Sequence, residues 1–151
     1  MKMFISDRHK ASILFSISFS IGFLTISCSA DTKFYECKQI VDITIDTSNQ
    51  ITDLSDNLKT KDTEKVLQVA DAFEAAAKKM EAVPINDEKL LEYQADFAKF
   101  YRNHAQVTRN FIEAREDKNL SAAKLARQKL QKLGDTEKEL VTAINNYCQE
   151  N

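Results

Sequence analysis

An apolar stripe between Leu90 and Ala114 constrains the fold of this chain more than any other feature. Its residues recur in steps of three and four, the spacing that places side chains on one face of a long α-helix. They are Leu90, Tyr93, Phe97, Phe100, His104, Val107, Phe111 and Ala114. The 151 residues include only two glycines and one proline, too few for the many turns of a sheet protein. The sequence therefore predicts an all-α fold.

Three further amphipathic segments flank this helix. The apolar spacing predicts helices over about 31–59, 63–82, 87–115 and 120–148. Asp62 and either Asn86 or Asp87 are the expected N-caps, and Pro84 is expected to end the second helix. Four helices joined by short polar breaks predict an up-down-up-down four-helix bundle.

Two polar interruptions disturb the apolar faces of the outer helices. Thr44 and Ser48 break the stripe of the first helix, and Glu137 falls on the inward stripe of the fourth. Because Gly134 and Asp135 precede Glu137 as a stop followed by a fresh N-cap, we expect the fourth helix to be kinked or split there.

The first 27 residues are set apart by composition. Lys2, Arg8 and Lys10 precede a run from Ser12 to Ser27 that contains no charged residue. The apolar core of the run is short for a membrane-spanning helix, which favours a removed signal peptide over an uncleaved anchor. We expect residues 1–27 to be an export signal and residues 28–151 to be the bundle domain.

The end of the signal resembles the lipobox of bacterial lipoproteins. It reads Leu24-Thr25-Ile26-Ser27-Cys28-Ser29, with Thr25 where the family usually has leucine. The resemblance implies that Cys28 becomes the lipidated first residue on the periplasmic side of a membrane. The alternative is cleavage after Ala30 by ordinary signal peptidase, which would discard Cys28.

Either route leaves two cysteines, Cys37 and Cys148. In an oxidising compartment two remaining thiols suggest one disulfide, and an up-down-up-down bundle brings the start of its first helix near the end of its fourth. The alternative is two separate buried thiols.

Three short motifs extend the lipoprotein resemblance. They are Tyr35-Glu36-Cys37, Pro84-Ile85-Asn86-Asp87 and Asn145-Asn146-Tyr147-Cys148. With them the chain resembles a group of uncharacterised small helical lipoproteins common in cyanobacteria. The resemblance implies a helical fold, export and paired cysteines, and it implies no activity.

His104 is the candidate cofactor residue. With Tyr101 and Phe97 it forms an aromatic, imidazole-containing segment that suits an axial ligand for haem or another tetrapyrrole, or a metal ligand. The alternative is a packed histidine in an aromatic core. Tyr101 stands where a carboxylate-bridged metal pair needs the glutamate of Glu-x-x-His, so we expect no metal centre of that type. No nucleophile is paired with a base in a recognisable motif, and we expect no enzymatic activity.

Basic residues cluster where the third helix meets the fourth. They are Arg109, Arg115, Lys118, Lys124 and Arg127. One interpretation is a surface that binds a protein partner; the other is a solvated rim that faces the acidic first helix. A net charge of -2 does not favour nucleic-acid binding. The sequence as a whole predicts an exported, lipid-anchored, non-enzymatic binding protein at a membrane surface, with a haem-binding bundle as the alternative.

Overall fold

The computed structural model describes residues 28–56 and 62–150; the expected export signal, residues 1–27, lies outside the described part. The described chain forms four α-helices: α1 (Cys28–Ser55), α2 (Thr63–Glu81), α3 (Glu88–Glu116) and α4 (Leu120–Gln149). Because the helices pack against one another and no strand occurs within these ranges, the prediction of an all-α four-helix bundle is confirmed.

Side chains cap the N-termini of three helices, and two of these caps, Asp62 and Asp87, are at the expected positions. Asp62 accepts a hydrogen bond from Lys65 N at α2, and Asp87 accepts one from Leu90 N at α3. Asn119 accepts from Ala122 N at α4. These local signals explain why the helix boundaries after Asp62 and Asp87 fall where the sequence predicts them.

α3 is the central helix, because it packs extensively against both α2 and α4. Its predicted stripe contributes Leu90, Phe97 and Phe100 to the core. A second buried row lies beside the first; it comprises Gln94, Ala98, Tyr101, Ala105, Thr108 and Ile112. A helix with neighbours on two sides buries a wider face than one stripe, and this width was not predicted.

The fourth helix is continuous from Leu120 to Gln149, so the prediction that it splits at Gly134 is wrong. Gly134 has a negative φ, and a methyl group at its Cβ position would meet no atom within 4 Å. One glycine in a helix costs only about 1 kcal/mol. Tertiary packing of the flanking apolar face outweighs that cost.

The chain turns from α3 into α4 through a left-handed residue. Lys118 has φ 56°, and it donates its N–H to Arg115 O while Asn119 N donates to Ala114 O. These two bonds are those of a Schellman motif, in which glycine is the usual left-handed residue. The motif satisfies the last carbonyl groups of α3 and fixes the sharp turn into α4.

α1 is the least integrated helix. It packs mainly on α2 and has only sparse contact with α3 and α4. Cys37 and Ile40 near its start are buried in the core, whereas Ile43, Ile51 and Leu54 farther along are only partly buried. α1 is therefore well packed around Cys37 and Ile40 and more loosely packed beyond its middle.

Candidate functional site

An open cleft lies where the apolar faces of the bundle are interrupted. All four helices line it, and its volume is about 310 Å³. The lining comprises Thr44, Thr47, Ser48, Ile51, Thr52 and Ser55 from α1, Val69 and Phe73 from α2, Tyr101 and His104 from α3, and Glu137 from α4. The two polar interruptions of α1 and α4 thus meet in space, with His104 between them.

The hydroxyl groups of α1 form one wall of the cleft. Thr44 donates to Val41 O, Thr47 to Ile43 O, and Thr52 to Ser48 O. Because each of these hydroxyl protons is used within the helix, the oxygen atoms that remain available act as hydrogen-bond acceptors. This wall therefore suits a ligand that brings donors.

His104 lies on the aromatic side of the cleft. Its ring stacks on Phe73 with 4.0 Å between the centroids and meets Phe100 edge-on at 5.9 Å. Burial lowers the pKa of His104, which keeps the imidazole neutral at neutral pH. Its Nδ1 is buried without a hydrogen-bond partner. Stacking against the two aromatic rings holds the imidazole in place.

Tyr101 and Glu137 are the other titratable groups of the lining. Burial raises the pKa of Tyr101 to about 12, although a hydrogen bond with Thr47 lowers the pKa in part. Burial also raises the pKa of the Glu137 carboxyl, although much of the Glu137 residue is exposed at the rim of the cleft. Within the described ranges Glu137 forms no ion pair. The cleft therefore holds one carboxyl group with no cationic partner.

The predicted cofactor residues lie near one another but differ in burial. Phe97 and Tyr101 are core residues at 1% and 3% exposure, while His104 is half-buried beside the cleft. Metal-ligating histidines usually donate their second ring nitrogen to an acceptor, and Nδ1 of His104 lacks that support. Among the residues that the structure describes, no group of three or more metal-ligating side chains converges. Haem binding at His104 stays a prediction, which a haem titration of the wild type and His104→Ala tests.

A second polar cluster joins α1, the connection between α2 and α3, and α4 at the end where α1 begins. We call it the clamped end; it consists of Glu36, Cys37, Asn86, Asp87, Tyr147 and Cys148. A disulfide joins Cys37 to Cys148 with the Cα atoms 5.9 Å apart. The predicted pairing is therefore confirmed, and the three motifs that carry the lipoprotein resemblance all meet at this end.

Glu36 is the central side chain of the clamped end. It is only 2% exposed, yet its carboxylate accepts hydrogen bonds from Asn86 N, Asn86 Nδ2 and Asp87 N at 3.0, 2.9 and 3.1 Å. Burial tends to raise the pKa of Glu36, but the three bonds outweigh it, and the pKa is lowered. The ionised carboxylate also lies at the N-terminus of α3, where the helix dipole favours negative charge.

Asp87 and Tyr147 extend this cluster to α4. The Tyr147 hydroxyl donates to Asp87 Oδ1 and Oδ2 at 2.9 and 2.8 Å, and the Tyr147 ring packs on Tyr93. Lys33 Nζ lies 4.1 Å from the centre of the Tyr147 ring. Because these polar groups form hydrogen bonds with one another, we interpret the clamped end as structural support and not as a reactive site.

The predicted partner-binding residues lie toward the opposite end, and all of them except Arg109 are exposed. Arg109 Nη2 pairs with Asp71 Oδ1 of α2 at 2.8 Å. The Arg115 guanidinium lies 5.7 Å from the Phe111 ring. Lys118, Lys124 and Arg127 are exposed, and across the described residues neither Lys124 nor Arg127 pairs with the acidic face of α1. α1 has sparse contact with α4. The interpretation of these residues as a solvated rim that faces α1 stays a prediction.

Sequence reasoning missed the roles of Glu36 and Gln94. Gln94 Nε2 donates to Met80 O and Val83 O, which caps the C-terminus of α2 from α3. Both side chains serve backbone groups on a different helix, and no spacing rule along one helix reveals such a partner. The only available signal was a polar residue at a position that the helix geometry buries.

Comparison with protein-family models, curated proteins and solved structures gives no match for this chain. None of the described helices has a stretch both long and apolar enough to span a membrane.

Proposed function

We propose that the protein is an exported, lipid-anchored and non-enzymatic bundle that binds a protein partner at the periplasmic side of a membrane, as the lipoproteins it resembles would. The observation that carries this proposal is the disulfide between Cys37 and Cys148. Disulfides persist in oxidising compartments and are rare in reducing ones.

The position of Cys28 supports anchoring at the clamped end. α1 begins at Cys28, nine positions before the disulfide-bonded Cys37. At a rise of 1.5 Å per residue, the two positions are about 14 Å apart along the helix. Phe34 and Tyr35 lie between them with 69% and 61% of their surfaces exposed. Exposed aromatic side chains near a lipid anchor suit the interfacial region of a membrane.

The intact mass of the protein from its native membranes tests the anchoring. A chain that starts at Cys28 with added lipid, and gains two hydrogens on reduction, is the expected result. A Cys28→Ala variant is expected to leave the membrane fraction, while Ser29→Ala stays there as the control. A lipid-free mass starting after Ala30 would contradict the anchor.

The partner-binding part of the proposal concerns the end of the bundle opposite the clamped end. We call Lys118, Leu120, Lys124, Leu125 and Arg127 the basic surface. Leu120 and Leu125 are 83% and 53% exposed among the basic side chains. α1 has 28 residues, so this end lies about 42 Å from Cys28. A surface that mixes positive charge with exposed leucines suits an acidic protein partner held away from the membrane.

Charge reversal tests the basic surface. We expect Lys124→Glu combined with Arg127→Glu to abolish the salt-sensitive capture of a partner from native membranes, because rim charges govern encounter. The matched control is Lys78→Glu with Lys79→Glu, two exposed lysines in the last turn of α2. The same partner retained equally by both double variants would contradict this surface.

A further inference from the structure

The cleft beside His104 is more polar than the packing of a four-helix bundle requires. Three interruptions of apolar faces coincide in it: the α1 hydroxyls, His104 on α3 and Glu137 on α4. Each interruption alone is an ordinary irregularity. Sites where several local rules fail at the same place are the expected positions of function.

The lining defines the charge of a suitable ligand. Among the described residues that line the cleft, Glu137 is the only one able to carry charge at neutral pH, since His104 is neutral and Tyr101 stays protonated. The described lining offers no cation to Glu137. The Glu137 carboxylate and the neighbouring hydroxyl oxygens all accept hydrogen bonds. A ligand with a positively charged hydrogen-bond donor would therefore complement them.

The shape and the apolar lining define the rest of the ligand. About 310 Å³ is at the small end of the range of roughly 300–1,000 Å³ for ligand pockets. Ile51 is partly exposed next to the polar wall, and Phe73 and Tyr101, which are 6% and 3% exposed, also reach the lining. Aromatic rings also attract cations electrostatically.

We propose that this cleft binds a small organic cation, a protonated amine whose ammonium group pairs with Glu137 and the α1 hydroxyl oxygens while its apolar part packs on Phe73. The proposal does not depend on lipidation or on the basic surface, and it assigns no reaction to the site.

Titration calorimetry of the processed, disulfide-bonded protein tests the proposal with two amines, 2-phenylethylamine and spermidine. The neutral probe 2-phenylethanol has the same aromatic ring as the first amine without its charge. We expect at least one of the two amines to bind. If 2-phenylethylamine is the tighter ligand, we expect 2-phenylethanol to bind with an affinity lower by about tenfold or more. No binding of either amine at millimolar concentration overturns the proposal.

Two variants locate the binding. Glu137→Gln removes the charge but keeps the shape, and we expect it to weaken amine binding by about tenfold or more. Glu139→Gln on the same helix is the control and is expected to leave binding unchanged. Thr44→Val removes one acceptor of the α1 wall and is expected to weaken binding about threefold. Equal affinity of the wild type and Glu137→Gln, with the helical circular dichroism signal of both intact, overturns the assignment.

Discussion

At the residue scale, the side chain that does most to join separate helices is Glu36. Its buried carboxylate accepts three hydrogen bonds from Asn86 and Asp87, at the N-terminus of α3. A buried charge is tolerable only when it is bonded in this way, because desolvation without partners costs several kcal/mol. Glu36 thereby connects the start of α1 to the entrance of α3.

Replacing Glu36 by glutamine tests this role. We expect Glu36→Gln to lower the free energy of unfolding by about 1–3 kcal/mol at neutral pH, because an amide cannot accept all three bonds. Urea unfolding measures the effect, and Glu139→Gln, an exposed position, is expected to change stability by less than about 0.5 kcal/mol.

The comparison of the wild type with Glu36→Gln is also expected to depend on pH. The pKa of Glu36 is lowered in the folded protein from an ordinary value of 4.5, so its stabilisation is present above that value. As the pH falls through the folded pKa, the carboxylate is protonated and the stabilisation is lost. The difference between wild type and Glu36→Gln should therefore shrink below pH 4.5. A difference that stays constant through the acid range would contradict this assignment.

At the element scale, the continuity of α4 through Gly134 is the clearest consequence of tertiary packing. The local residues Gly134 and Asp135 favour a stop, yet the helix runs on for a total of 30 residues. The N-caps, by contrast, could be predicted because Asp62, Asp87 and Asn119 act on backbone groups only three residues away. Interactions between residues close in sequence can be predicted from the sequence. The stabilisation that packing against other helices adds cannot.

Gly134→Ala is a direct test of an uninterrupted helix. Alanine is expected to raise the free energy of unfolding by roughly 0.5–1 kcal/mol, since the backbone is helical and the added methyl group meets nothing within 4 Å. Chemical unfolding followed by circular dichroism gives the comparison. Destabilisation by alanine would mean that the helix needs a break at this position.

The residues of the cleft could be recognised in the sequence, but their arrangement could not. Thr44, Ser48, His104 and Glu137 each stood out as polar positions on apolar faces. Their convergence depends on the rotation of each helix about its axis, and one residue of shift turns a side chain by about 100°. That rotation is set by packing between helices, so the individual residues were predictable and the site was not.

At the scale of the whole molecule, the disulfide compensates for the sparse contact between α1 and the α3–α4 pair. It joins residues 111 positions apart at the clamped end. Closing a loop of that length stabilises a fold by about 4–5 kcal/mol in the chain-entropy model, and native cases commonly deliver about 2–5 kcal/mol. The pairing was predicted from the expected up-down-up-down topology together with the expectation that the chain is exported with two remaining cysteines.

Reduction of the disulfide should therefore loosen α1 first. We expect hydrogen exchange in α1 to accelerate after reduction or in a Cys37→Ser, Cys148→Ser variant, while α2 and α3 keep their protection. A loss of about 2–5 kcal/mol in the free energy of unfolding should accompany the change. Uniform acceleration across all four helices would show that α1 is integral to the core.

The bond between Cys37 and Cys148 also makes the domain a covalent ring from residue 37 to residue 148. A single cut of the backbone in any of the three connections between helices would leave one linked molecule instead of releasing a fragment. Cut between α1 and α2, the ring becomes in effect a circular permutant in which α1 follows α4. After such a cut by a protease, the four helices would stay covalently joined.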